Sequence, residues 1–290
     1  MTPHITLIRT VLIVRMRGND RAKALALEID AWLASKDIAT MTVDASDLPL
    51  PGERAEEAVE AFLDCTDLTL VLGGDGTMLS VANRLCGRKI VLLGVNCGKV
   101  GFLAECDAQD WPDALESILA HGARVKARIR LSVHVLRGGE DVFTCRVAND
   151  AVISRGALAR LINLRISRGT ELITDLRADG VAVSTPSGST AYCVSAGGPL
   201  IHPSLDVVCV TPICPFLSHV KPLVLPCDQD IAITADKAEA YLTCDGQTLT
   251  PLEPNDVVHI RKSREDLLLA SPGTAGFFER IRKKGIYFRP

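Results

Sequence analysis

Aromatic residues are scarce in this 290-residue chain, which has two tryptophans, three tyrosines and seven phenylalanines, 4% in all. The 47% hydrophobic content is therefore aliphatic, and Val, Leu, Ile and Ala must fill the interior. Charge of one sign is lacking too. A formal net charge of −3 offers no broad cationic surface for a nucleic-acid backbone. No apolar run reaches the ~18 residues that a membrane-spanning helix needs, and the start has no signal-peptide pattern. These absences predict a soluble, cytoplasmic protein with neither a membrane nor a nucleic-acid partner. Ten cysteines, at 65, 86, 97, 106, 145, 193, 209, 214, 227 and 244, stand singly, with no pair at the two-residue spacing of zinc or thioredoxin-type sites. They read as small buried hydrophobes in a reducing compartment, not as a secreted disulfide framework. Internal repeats and low-complexity tracts are also missing.

What is present falls into two rhythms. The first alternates short apolar runs with amphipathic stretches, as expected of parallel strands joined by crossover helices. Strands are expected at 11–14, 40–43, 68–72 and 90–95, and helices at 20–36, 53–63 and 78–86. From about Ala127 strand-like segments follow one another at 131–136, 142–154, 163–167, 170–176 and 181–185, then at 230–234, 240–244, 257–261 and 267–269. Prolines at 199, 203, 212, 215, 222 and 226 predict a long ordered loop holding one short strand, 207–210. The tail, 277–284, has helical spacing and a basic, solvated end. The expected architecture is an open α/β domain over 1–126, an all-β, sandwich-like domain over 127–271, and a helix within 272–290 that packs back on the first domain.

The strongest local signal is Leu70-Val71-Leu72-Gly73-Gly74-Asp75-Gly76-Thr77, a buried strand that runs into glycines and then a helix. At the carboxyl end of such a strand, glycines let backbone amides approach a phosphate, and the helix start adds partial positive charge. An acid in that setting would repel the ligand unless it handles a metal ion or a hydroxyl proton, which makes Asp75 the candidate catalytic carboxylate. The competing reading is a tight turn in which Asp75 caps the helix. Two better-known phosphate motifs do not fit. Leu79 stands where a dinucleotide fingerprint has its third glycine, and Gly94 to Val100 is one residue short of a P-loop and lacks its final hydroxyl.

Gly73-Gly74-Asp75-Gly76-Thr77 followed by Asn96-Cys97-Gly98-Lys99-Val100-Gly101-Phe102-Leu103 resembles the paired signature of the NAD kinase family. Asn149-Asp150, Ala178-Asp179-Gly180, Thr185-Pro186-Ser187-Gly188-Ser189-Thr190-Ala191-Tyr192, Asp245-Gly246-Gln247 and Phe277-Phe278-Glu279 extend the likeness, in order, over nearly the whole chain. The first element alone is shared with phosphofructokinases and diacylglycerol-type lipid kinases; the ordered combination is what is specific. Ser187 replaces a common Thr and Asp150 is the shorter acid, while Phe216 and Lys221 depart from the usual His and Arg of the Pro-rich loop.

The resemblance implies transfer of the γ-phosphoryl group of ATP, with Mg²⁺, to the adenosine-ribose 2′-hydroxyl of NAD. Asp75 would orient and deprotonate that hydroxyl. Gly73, Gly74, Gly76 and Thr77 would hold the ATP phosphates. Asn149 and Asp150 would read adenine and ribose, and Arg160 and Arg177 would meet nucleotide phosphate or ribose. Thr190, Ala191, Tyr192 and Ser195 would line the NAD pocket, completed by Asp179, Asp245 and Gln247. No residue is assigned as a direct protein ligand of a metal, and no histidine to catalysis. A homodimer or homotetramer is implied. A lipid or sugar kinase, or a catalytically silent NAD(P) sensor, are the alternative readings.

Overall fold

The structure, a computed structural model, describes residues 4–5, 7–50, 52–98, 101–156, 160–216, 220–236, 239–272 and 276–283. Two compact units emerge, one formed by Met1–Ala127 with Leu267–Pro290, the other by Arg128–Asp266. In chain order the first contains β1 (His4–Ile5), β2 (Thr10–Arg15), α1 (Asp20–Ala34), β3 (Ala39–Asp44), α2 (Glu57–Asp64), β4 (Leu68–Gly73), α3 (Asp75–Arg84), β5 (Val91–Asn96), β6 (Cys106–Asp107), α4 (Trp111–His121) and β7 (Ala123–Arg128). The second contains β8 (Leu131–Arg137), β9 (Glu140–Val147), β10 (Asp150–Arg155), β11 (Ile162–Arg168), β12 (Glu171–Ala178), β13 (Gly180–Ser184), α5 (Tyr192–Ser195), β14 (Val207–Ile213), β15 (Leu223–Pro226), β16 (Ile231–Ala235), β17 (Ala240–Cys244), β18 (Thr248–Leu252) and β19 (Val257–Lys262). The chain then re-enters the first unit with β20 (Leu267–Ser271) and α6 (Phe277–Lys283).

The first sheet has the order β1-β7-β20-β5-β4-β2-β3, with β6 beside β5. Strands β4 and β5 are buried at every position, because helices cover both faces of a parallel sheet and leave no solvent side for polar residues. Helix α1 presents Ala22, Leu25, Ala26, Ile29 and Leu33 to that core at helical spacing, and the Asn19 side chain accepts the Ala22 N–H to start it. Strand order reverses between β2 and β4, so the starts of α1 and α3 flank a topological switch point, where open α/β sheets bind ligands.

Strand β20 lies parallel to β5, pairing Leu268 with Val91 and Leu269 with Leu92, so the return to the first unit begins at Leu267, ahead of the expected 272. Three apolar residues identify a strand but not the sheet that receives it. The described basic end of the tail is solvated at Arg282 and Lys283, which are exposed, but not at Arg280. Arg280 is buried and pairs with Glu105 at 3.2 Å, while Lys126 meets the other Glu105 oxygen at 2.8 Å. Lys284 and the rest of the tail lie outside the described residues.

In the second unit two six-stranded antiparallel sheets, β15-β14-β13-β10-β17-β18 and β12-β11-β16-β19-β8-β9, share one aliphatic core. Strands β8, β11, β16 and β17 alternate buried and open residues, as a sandwich requires. β13 is buried throughout: Val181 and Val183 join the main core, and α5 packs against the strand, beside a smaller cluster of Cys193, Ile201 and Cys209. The strand expected over 142–154 is two strands in different sheets, and the chain crosses between them at Ala148–Asn149. The Pro-rich region likewise holds more strand than expected. Pro212 sits within β14 opposite Val181, but beyond Val210, where the ladder to β15 ends, so its missing N–H breaks no pairing.

Candidate active site

In the first unit, β4 ends at Gly73 and α3 begins at Asp75, so Asp75, Gly76 and Thr77 form the first helical turn, ahead of the expected start at Met78. Gly74 is the N-cap, and its carbonyl accepts from Thr77 and Met78 at 3.0 and 3.1 Å. The Asp75 side chain does not cap the helix. It turns to the loop after β5 and accepts three consecutive amides, Phe102 on Oδ2 at 2.8 Å and Leu103 and Ala104 on Oδ1 at 3.0 and 3.3 Å. The helix-cap reading of this acid is thereby overturned. A carboxylate offers about four lone-pair positions, so these bonds leave one on Oδ2.

The glycines of the turn divide by what surrounds them. A Cβ on Gly73 would run into Thr77, so Gly73 is required for packing. Among the described residues nothing lies within 4 Å of a Cβ built on Gly74 or Gly76, and neither has a positive φ. Among the described residues neither neighbours nor backbone torsions demand glycine there, and the turn has room for close approach of a ligand. Arg21, in the first turn of α1, adds a cation on the same sheet edge and donates to the Cys97 carbonyl at 3.4 Å. Lys99 and Val100 lie outside the described residues.

The second unit repeats the device seen at Asp75. Asp245 accepts the amides of Ala148 at 2.9 Å on Oδ2, and of Asn149 and Asp150 at 2.7 and 3.1 Å on Oδ1. It sits with φ +50° beside Gly246 at +65°, a left-handed pair that closes the β17–β18 hairpin. Asp245 thus fixes the stretch where the chain changes sheets, and Gln247 is exposed at the hairpin tip. Thr185 latches the same place from the other side, donating to the Ala148 carbonyl at 2.6 Å and accepting the Gly188 N–H at 3.0 Å. A Cβ on Gly188 would overlap the Asn149 carbonyl, so that loop must pass as glycine.

Asp150 is buried, and its carboxyl is pushed up to about 7, first by burial, then by the nearby charges of Asp245 and Cys193. Asn149 beside it is only partly buried. Thr190 is half-buried and donates to the Ser187 carbonyl at 3.0 Å, Ala191 breaks the helix between a 3₁₀ turn and α5, and Tyr192 and Ser195 are exposed on that single turn. Asp179 is held by Arg155 at 2.5 Å. Arg160 is exposed. Arg177 is exposed as well and lies over the Phe216 ring, 5.4 Å from its centroid, a cation–π contact that uses the aromatic face of this variant position.

Two family models divide the chain between them, the ATP-NAD kinase N-terminal domain over residues 11–123 and the ATP-NAD kinase C-terminal domain over 148–271. The NAD kinase of Nitratidesulfovibrio vulgaris is 45% identical over 282 residues, which cover 97% of each chain. The chain belongs to the NAD kinase family. Among solved structures, yeast NADH kinase in complex with NADH is 25% identical with a TM-score of 0.86, covering 98% of this chain and 90% of that one. An NAD kinase from Archaeoglobus fulgidus in complex with ATP has a TM-score of 0.76 at 23% identity, covering 94% and 99%, a likeness of fold.

Within this NAD kinase framework, residues to which the sequence gives no role of their own, two of them inside the motifs, work by support. Gly101 is one, since a Cβ there would overlap Asp75 Oδ1. Arg155, partner of Asp179, and Thr185 are others. Glycine and threonine outside a recognised role carry no chemical flag, and an arginine's partner across two strands is set by register alone.

Proposed function

We propose that the protein is an ATP-dependent NAD kinase that phosphorylates the 2′-hydroxyl of the adenosine ribose. The observation that carries this reading is the Asp75 carboxylate, fixed by three loop amides at a glycine turn while Oδ2 keeps one acceptor position. That position orients the acceptor hydroxyl. As its oxygen attacks the γ-phosphorus and the bond to the leaving ADP oxygen breaks, the proton passes to Asp75.

Gly74 and Gly76 admit the phosphates to the start of α3, Gly73 and Thr77 shape the turn, and Arg21 lies on the same edge. Magnesium fits as an ion brought in by the triphosphate. Mg²⁺ is commonly held by phosphate oxygens, water and one or two carboxylates, and Asp75 would be the carboxylate available at this turn. When bound it neutralises the charge of the transferring phosphate.

Asn149 and Asp150, held by Asp245, bind adenosine, with Thr190, Ala191, Tyr192 and Ser195 beside the dinucleotide. Arg160, Arg177, Asp179 and Gln247 complete its contacts. A homodimer or homotetramer is supported by the apolar edge strand β15, where Leu223 and Val224 are exposed, and light scattering tests it. No described helix is long and apolar enough to cross a membrane. A cytoplasmic location belongs to the same reading.

The test supplies purified protein with NAD, ATP and Mg²⁺ and follows NADP with an NADP-specific dehydrogenase. NADP formation that falls by about 10²- to 10⁴-fold in Asp75→Asn, with NAD still bound, is the expected result. No NADP above a boiled control, with phosphate transferred instead to a lipid or sugar, would reject the reading, and binding without turnover would mark a sensor.

A further inference from the structure

We infer that Cys145 and Cys244 form a redox-active pair, a site of reversible disulfide formation that staples the two sheets of the second unit together. Their sulfurs are 2.8 Å apart, although the residues are 99 positions apart in sequence. Cys145 lies on β9, the edge of one sheet, and Cys244 ends β17 in the other. Both point inward: Phe143 and Cys145 pack against the core that contains Ala240, Leu242 and Cys244. The two thiols therefore face each other across the sandwich, inside the van der Waals separation of two sulfurs and short of the ~2.05 Å of a disulfide bond.

The two thiols differ in a way that orders the chemistry. Cys145 is partly exposed at an open sheet edge, whereas Cys244 is buried. The hydrogen bond with Cys145, followed by burial, raises the Cys244 thiol well above its ordinary value. With hydrogen peroxide as oxidant, the Cys145 sulfur attacks a peroxide oxygen, the O–O bond breaks, and Cys145 becomes a sulfenic acid with release of one water. The Cys244 sulfur then attacks the Cys145 sulfur, the S–O bond breaks, and the departing hydroxyl leaves as water with the Cys244 proton. Two thiols and one peroxide give one disulfide and two waters.

The location makes the bond consequential. Cys244 immediately precedes Asp245, and Cys145 lies three residues before Ala148, whose amide Asp245 accepts at 2.9 Å. The disulfide would close covalently, at the crossing between the sheets, what that hydrogen bond closes reversibly. The pair Cys193 and Cys209, which share Thr211 Oγ1 at 3.3 and 3.4 Å, is buried on both sides and offers a peroxide no entry.

The test treats reduced wild-type protein with hydrogen peroxide, removes the oxidant with catalase, alkylates remaining thiols in denaturant, and maps peptides by mass spectrometry without reduction. The expected product joins the Cys145 and Cys244 peptides with loss of two hydrogen atoms, is reversed by dithiothreitol, and raises the melting temperature by about 5–10 °C. Cys145→Ala should show neither the cross-link nor the rise. Both thiols alkylated after oxidation, Cys145 carried on to a sulfinic acid without a cross-link, bonding to a different cysteine, or a melting rise that persists in Cys145→Ala would each overturn the proposal.

Discussion

Gly101 and Asp75 are in contact so close that a methyl group on residue 101 would overlap the carboxylate oxygen Oδ1. The glycine thus permits the loop after β5 to fold over the acid and supply the three amides that aim it. Gly101→Ala should push the carboxylate aside without removing it. A displacement of about 1 Å at a reacting group costs on the order of 10²-fold in rate, so kcat should fall by about that factor. Overpacking should cost about 1–3 kcal/mol of stability. Steady-state kinetics with a melting curve check this, and a variant with wild-type kcat would mean that the loop does not position Asp75.

Gly74→Ala separates binding from folding. Nothing among the described residues lies within 4 Å of the added carbon, and the residue has ordinary extended torsions, φ −101° and ψ −171°. The N-cap change should cost about 1 kcal/mol or less. The methyl would meet the ligand instead, so the KM for ATP should rise about tenfold or more while the KM for NAD stays put. Unchanged kinetics would remove Gly74 from the phosphate cradle.

Asp245→Asn should loosen the crossing between the sheets. Asn keeps one acceptor oxygen but turns the other into a donor facing backbone N–H groups, and the charge that strengthens all three bonds is lost. A stability loss of about 2–4 kcal/mol is expected, with a raised KM for NAD because Asn149 and Asp150 are no longer fixed. Denaturant titration and initial rates measure the two effects. A change in KM with no loss of stability would point to direct substrate contact, and would contradict the supporting role.

Much of the molecule could be read from residues alone, and what could not shares a physical cause. β4, α1 and the paired halves of the fold follow from periodicity, and the glycine turn from its place after a wholly apolar strand. The direction of the Asp75 side chain was not legible. It depends on amides 27 to 29 residues away, and an aspartate at a helix start reads equally well as a cap. Asp245 was legible as a site element but not as a clasp, because its partners lie 95 to 97 residues upstream. The break at Ala148–Asn149 was hidden for the same reason: a chain that leaves one sheet for another keeps its apolar pattern, and hydrogen bonding alone marks the change. Helix α4 and strand β7 escaped notice where the two rhythms meet, although Pro112 in its first turn and Gly122 at its end, with φ +79°, are ordinary helix boundaries.

Asp150 makes stability depend on pH, with a definite sign. Its folded-state pKa is about 7, against 3.8 for an ordinary aspartate, so between those values the folded protein keeps a proton that the unfolded chain has released. Below about pH 4 both states hold it and the group contributes nothing. As pH rises through the window, ionisation in the unfolded chain draws the equilibrium toward unfolding, and the penalty levels off above about 7, at roughly 4 kcal/mol. Asp150→Asn removes the titration. Relative to wild type it should therefore gain stability between pH 4 and about 7 and level off above that, whatever its offset at the acid end. Because the Asp245 charge contributes to the raised value, the window should also shift downward in Asp245→Asn. Urea unfolding of the three proteins at intervals across this range measures both effects. A difference between wild type and Asp150→Asn that stays constant from pH 4 to 8 would show that the carboxyl is not held in its neutral form, and that burial beside Asp245 is relieved by some other partner.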